Sequence, residues 1–186
     1  MAREWSTDRW RSRMATLMSL VKRIEGWPRE RLAERVSAAA YGTVLVLASL
    51  ALIDSDEVAS GWGWELVTGV GLATWVAHLY AELVGDHVRH TAAPGRHELR
   101  RAMADGFPIL LAAVPPGVVL LLGRVDLLAP RAALWAAVVI AFLQLVAVGG
   151  VVGLLVSDRQ SKAWRFAAVS GGFGTIVVLL KVVLGH

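Results

Sequence analysis

Five long apolar stretches, joined by connections of alternating charge, leave this chain few folds to choose from. They run over 36–53, 64–84, 107–122, 132–156 and 164–184. About 20 apolar residues in a helix cross the ~30 Å hydrocarbon core of a bilayer, and each stretch reaches or approaches that length. Inside lipid only helices and closed barrels satisfy their own backbone polar groups, and long unalternating apolar runs suit helices. The fold class expected is all-α: a polytopic membrane protein with five transmembrane helices behind an N-terminal amphipathic interfacial helix. The 19 Lys/Arg residues fall 9, 0, 4 and 2 over the first four hydrophilic stretches and 3 at Arg159, Lys162 and Arg165, the last just inside the fifth apolar stretch, with Lys181 near the end. By the positive-inside rule the N-terminus is cytoplasmic, the C-terminus outside, and the location the inner (plasma) membrane.

Composition narrows the class further. Of 186 residues, 56% are hydrophobic, so 31–186 reads as one membrane domain with no second globular domain. No cysteine is present, which excludes disulfides and thiolate metal sites. The basic balance, with pI near 10.1, suits anionic lipid headgroups beside the spans rather than nucleic acid. The first 35 residues hold nine bases and no uninterrupted apolar core, so the first span is expected to act as an uncleaved signal anchor.

Residues 1–30 read as a basic amphipathic helix on the membrane surface. Trp10, Met14, Leu17, Val21 and Ile24 recur at helical spacing, and Arg9, Arg11, Arg13, Lys22 and Arg23 supply the polar side. Trp27-Pro28 breaks it. The connection Asp54-Ser-Asp-Glu57 is acidic and expected outside. The connection 85–105 carries Arg89, Arg96, Arg100 and Arg101, a turn at Pro94-Gly95, and a short surface helix expected over 97–101. The third span is the shortest and holds Pro115-Pro116-Gly117, so a kinked or broken helix buried in protein is expected. Asp158, Arg159, Lys162 and Arg165 return the chain inside, and the last span ends at Lys181 and His186.

Polar groups inside spans are costly and mark function. Thr74, His78, Glu82 and Asp86 recur every four residues, so they form one stripe on the second span. Histidine exchanges protons near neutrality, which points to a proton or monovalent-cation path. The other readings are side chains that snorkel to the inner surface, or an ion shared by His and carboxylate one turn apart; no metal site and no cofactor is expected. Glu34 and Arg35 at the start of the first span are inner-gate or interface candidates, or simple topogenic charges. Tyr41 of the same span is a further transport-path candidate, expected to hydrogen-bond either of them.

Glycine gives a further pattern. Gly149 and Gly153 in the fourth span, and Ser170 and Gly174 in the fifth, stand one turn apart and allow helix backbones close approach. Gly172-Phe173-Gly174 is similar to a potassium-filter tripeptide, but a filter needs an extended loop after a pore helix, and this one lies within a continuous apolar run. Gln144 is expected to bridge helices by hydrogen bonding.

The run Glu34-Arg35-Val-Ser-Ala38-Ala39-Ala40-Tyr41-Gly42 resembles the first helix of the bacterial and lysosomal potassium-channel family with an Arg-x-x-x-Phe-Ser-Asp signature. Glu34, Arg35, Ala38 and Gly42 match by spacing, while Ala39-Ala40-Tyr41 stands in place of Phe-Ser-Asp. Trp75 and His78 are similar to that family's Trp-x-x-His pattern. The resemblance covers about fifty residues, and the family has six spans per repeat. It implies an oligomeric cation channel lined by the first helix. The Ala/Val/Leu/Arg-heavy usage is also like that of small polytopic membrane proteins of high-GC bacteria.

The function expected is therefore an oligomeric ion channel or proton-linked transporter, with a non-transporting scaffold or assembly partner as the alternative. No His-Glu-x-x-His or Gly-x-Ser-x-Gly motif appears, so no enzyme is expected. Five spans are few to enclose a path, which makes a homo-oligomer the expected form.

Overall fold

A computed structural model describes residues 29–90, 95–156 and 160–184. The amphipathic segment, apart from Arg29 and Glu30, lies outside the described residues, as do Trp27-Pro28, Pro94, Asp158-Arg159 and His186. The chain divides into units 1–34 and 35–186. Of the first, only the opening turns of α1 (Arg29–Ala51) are described.

After α1 come α2 (Ser55–Ser60), α3 (Trp62–His90), α4 (Arg96–Arg124), α5 (Pro130–Val156) and α6 (Gln160–Leu184). Three helices are long and apolar enough to cross a membrane: Trp62–Val88, Arg96–Arg124 and Pro130–Gly153. These mark a membrane-embedded protein. The apolar run of α6, Arg165–Leu179, is shorter than that. In α1 the helix stops at Ala51 and its opening turns carry Arg29, Glu30, Arg31, Glu34 and Arg35, so less of it is apolar than the 36–53 run suggested.

The third apolar stretch departs most from expectation. It is not a short broken helix but part of a 29-residue helix that keeps Pro108, Pro115 and Pro116 inside it. The expected surface helix over 97–101 is simply its first turns. Proline removes one donor and crowds the carbonyl four residues back, yet neighbouring packing holds the helix together. Of the most apolar 18 residues in each crossing helix, 44% are buried in α4, against 33% in α5 and 11% in α3. Helix α4 is the central element of the 35–186 unit.

Small residues set its contacts. A Cβ on Gly42 of α1 would stand 2.9 Å from Ile109 Cα, one on Gly71 of α3 would stand 2.7 Å from Ala113 Cβ, and one on Gly123 would meet Ala133 Cβ of α5 at 2.7 Å. Each glycine thus lets another helix close onto, or away from, α4 at short range. Around these crossings lies one apolar core built from Val46, Leu47 and Leu50 of α1, Val67 of α3, Leu120 of α4, and Ala137 and Ala141 of α5. The buried hydroxyls of α1 are satisfied within the helix: Thr43 Oγ1 donates to the Ala39 carbonyl and Ser49 Oγ to that of Val46, both at 2.8 Å, as hydroxyls in apolar helices commonly do.

The acidic connection is more ordered than its charge alone suggested. Asp54 caps α2 by accepting from the Asp56 and Glu57 amides, and the Glu57 carboxylate accepts from the Asp54 amide at 2.9 Å. This is a capping box with aspartate in the cap position. Gly61 ends α2 at φ +92, with the Arg124 guanidinium directly over it, and Arg124 Nη1 pairs with Glu65 at 3.6 Å. Gly61→Ala is expected to cost about 1–2 kcal/mol from the left-handed backbone alone, read as a lower melting temperature in detergent. An unchanged melting temperature would mean that this turn is not held in that conformation.

Candidate functional site: a polar seam between two helices

The row of residues to which the stripe belongs begins apolar. Val67 and Gly71 are buried on α3, and Gly71 faces Ala113 of α4. Continuing by four residues reaches Trp75, then His78 and Glu82 on the same side. A Cβ on Gly106 of α4 would stand 2.9 Å from His78 Cδ2 and 3.2 Å from Trp75 Cδ1. The stripe therefore runs along the seam between α3 and α4, while Leu72, Val76, Tyr80 and Val88 on the other side of α3 are exposed.

Within the seam His78 Nε2 lies 3.6 Å from Glu82 Oε1, with 28% and 26% of the side chains exposed. Both are covered by protein without being sealed from the surroundings. Thr74 and Asp86 of the same stripe are likewise half-buried. The indole Nε1 of Trp75 is buried without a hydrogen-bond partner among the described residues. A donor left so costs roughly 1–3 kcal/mol, so the seam offers a polar guest a donor already in place.

Asp105, which in the sequence looks only like the end of a basic connection, directly precedes the seam glycine. Asp105 is 4% exposed. It accepts a hydrogen bond from Arg35 Nε of α1 at 2.9 Å, and Arg101 Nε, one turn earlier on α4, lies 3.7 Å from its second oxygen. Each carboxylate oxygen is thus faced by a guanidinium of a different helix, the arrangement a buried charge requires. Arg35 is thereby a tie between α1 and α4. The sequence signal for Asp105 was its position four residues after Arg101, at the mouth of an apolar run.

Comparison with family models, curated proteins and solved structures finds no match.

Tyr41 is 55% exposed and makes no hydrogen bond among the described residues; Glu34 is exposed. On α5 and α6, a Cβ at Gly149 would meet Ser170 Cβ at 2.7 Å and the Phe166 carbonyl at 2.8 Å, and one at Gly174 would meet the Phe142 ring at 3.0 Å. Gly153 is buried. Gly172-Phe173-Gly174 is helical, not the extended loop a filter needs. Pro115 is exposed and Pro116 buried on α4. Gln144 Oε1 is buried with no donor among the described residues, so the expected bridge between helices does not form through that atom. No group of three or more His, Asp or Glu able to hold a metal occurs among the described residues.

Proposed function

We propose that the protein is a multi-pass protein of the inner membrane that crosses five times and forms a homo-oligomeric ion channel or proton-linked transporter. The conducting groups are those of the α3 seam, Thr74, His78, Glu82 and Asp86, and the species carried is a proton or a monovalent cation. The observation that supports this reading is the placement of His78 and Glu82 on the packed side of α3, 3.6 Å apart and each about a quarter exposed. An imidazole beside a carboxylate accepts and passes on a proton, or shares a cation, where either group alone in lipid would be costly. Charges that merely snorkel at an interface belong on the outer side of a helix, which here carries Val76 and Tyr80 instead. The likeness of the Glu34–Gly42 run, and of Trp75 and His78, to one potassium-channel family favours the channel form.

In this reading the basic connections hold the N-terminus in the cytoplasm, and the seam opens toward that side at Asp86. The protein is not an enzyme, and its path requires several copies because one five-helix chain encloses little space. Purified protein in liposomes is expected to carry a proton or cation flux that falls about tenfold or more in His78→Ala and Glu82→Gln, given the weight of positioned proton-transfer groups. Normal flux in both variants removes the seam from the mechanism. No flux in the unaltered protein favours the scaffold alternative.

A further inference from the structure

One face of α4 stays uncovered along nearly the whole helix. Arg96 and Arg100, then Met103, Phe107, Leu111 and Val118, are all exposed. At 100° per residue they fall within about 80° of one another around the axis. Asp105 points to the opposite side of the helix, and its pairing partners are Arg35 and Arg101, so Arg96 and Arg100 take no part in that buried cluster. Neither makes an ion pair among the described residues. Bases in the first turns of a helix also oppose its macrodipole, so helix stability does not account for them there. From Arg100 to Leu111 the face rises about 16 Å, close to the ~15 Å of one leaflet, half of a hydrocarbon core.

We propose that this face binds an anionic phospholipid, with the phosphate held between Arg96 and Arg100 and an acyl chain laid along Met103, Phe107 and Leu111. The inference rests on the membrane reading above and on the α4 N-terminus lying at the cytoplasmic leaflet, where anionic lipid is found. The match is of charge and of length: two guanidinium groups at headgroup depth above an apolar track that is as long as one leaflet at Leu111. A free phosphate uses only the arginines and leaves the apolar track without a role. A second copy related by a twofold axis brings like patches together and sets arginine pairs in one contact with no acid on that face to offset them.

The test uses the full-length protein in neutral detergent, with phosphatidylglycerol, phosphatidylcholine of the same chains, or inorganic phosphate added, and retained lipid counted by native mass spectrometry. Each base near the surface contributes about a fivefold preference for anionic lipid, so the pair gives roughly 30-fold for phosphatidylglycerol over phosphatidylcholine. Arg96→Gln and Arg100→Gln are each expected to lower the preference about fivefold, and the double variant to abolish it. Arg96→Lys with Arg100→Lys keeps it, which separates charge from folding. Equal retention of the two lipids overturns the proposal, as does an unaltered preference in the double Gln variant. Displacement of the lipid by millimolar phosphate overturns the lipid in favour of the free anion. A dimer that dissociates in the double Gln variant makes the face a contact between copies and overturns it too. Release of the native protein from its membranes by alkaline carbonate is a different failure, that of the membrane reading itself.

Discussion

Arg35→Ala is expected to destabilise the protein by about 2–3 kcal/mol, and more than Asp105→Asn does. Removing one partner of a buried ion pair costs roughly 3–5 kcal/mol because it strands the other charge. The lower figure applies here because Arg35 keeps 30% of its side chain exposed and Arg101 still stands 3.7 Å from Asp105. The asymmetry follows from burial. Asp105 has 5% of its side chain exposed, so it is the charge that suffers when left alone, whereas either arginine can turn toward water. Asp105→Asn removes that buried charge together with its pairing and costs about 1–2 kcal/mol. Combining the two changes should restore stability relative to Arg35→Ala alone. Thermal unfolding in detergent, followed by the fluorescence of the eight tryptophans, reads this directly. If Arg35→Ala and the double variant melt together, Asp105 is not held by Arg35.

The second large effect concerns two adjacent residues with opposite outcomes. Gly149→Leu is expected to cost about 3 kcal/mol, at the upper end of the usual range for overpacking, while Gly150→Leu leaves stability nearly unchanged. At Gly149 the first added carbon already meets the Ser170 side chain and the Phe166 carbonyl at under 3 Å, and a carbonyl of a helix backbone cannot turn aside. Nothing lies within 4 Å of a Cβ on Gly150. Helix propensity changes alike at both sites, so a difference in melting temperature isolates the α5–α6 crossing. Equal melting temperatures would show that the two helices do not meet at Gly149.

Apolar runs were enough to locate the long helices, because burial in lipid or protein demands them and little else produces them. Their ends were not legible. Arg96 to Asp105 reads as a charged connection, yet it continues α4, since arginine and glutamate propagate helix well and nothing between Arg96 and Phe107 stops it. The proline pair, which reads as a break, lies inside a helix that packs closely against its neighbours at Gly42, Gly71 and Gly123. The stripe of Thr74, His78, Glu82 and Asp86 was legible from periodicity alone, but the side it faces was not; that is fixed by Gly106, a residue with no polar signal of its own. Asp105 was overlooked for a related reason. Its partner Arg35 lies seventy residues earlier, and beside a run of arginines a lone aspartate looks topogenic. The Asp54–Glu57 capping box was written in the sequence as Asp-x-x-Glu, and charge sign alone hid it.

The absence of cysteine opens a water-accessible polar path on the packed side of α3 to thiol labelling. Single cysteines at Val76, His78, Tyr80 and Glu82 are placed in the protein in sealed inside-out membrane vesicles, which expose the cytoplasmic side, and treated with a membrane-impermeant thiol reagent. His78→Cys and Glu82→Cys are expected to react, and Val76→Cys and Tyr80→Cys to stay unmodified in lipid. Reaction at positions 76 and 80 with none at 78 and 82 would contradict the path.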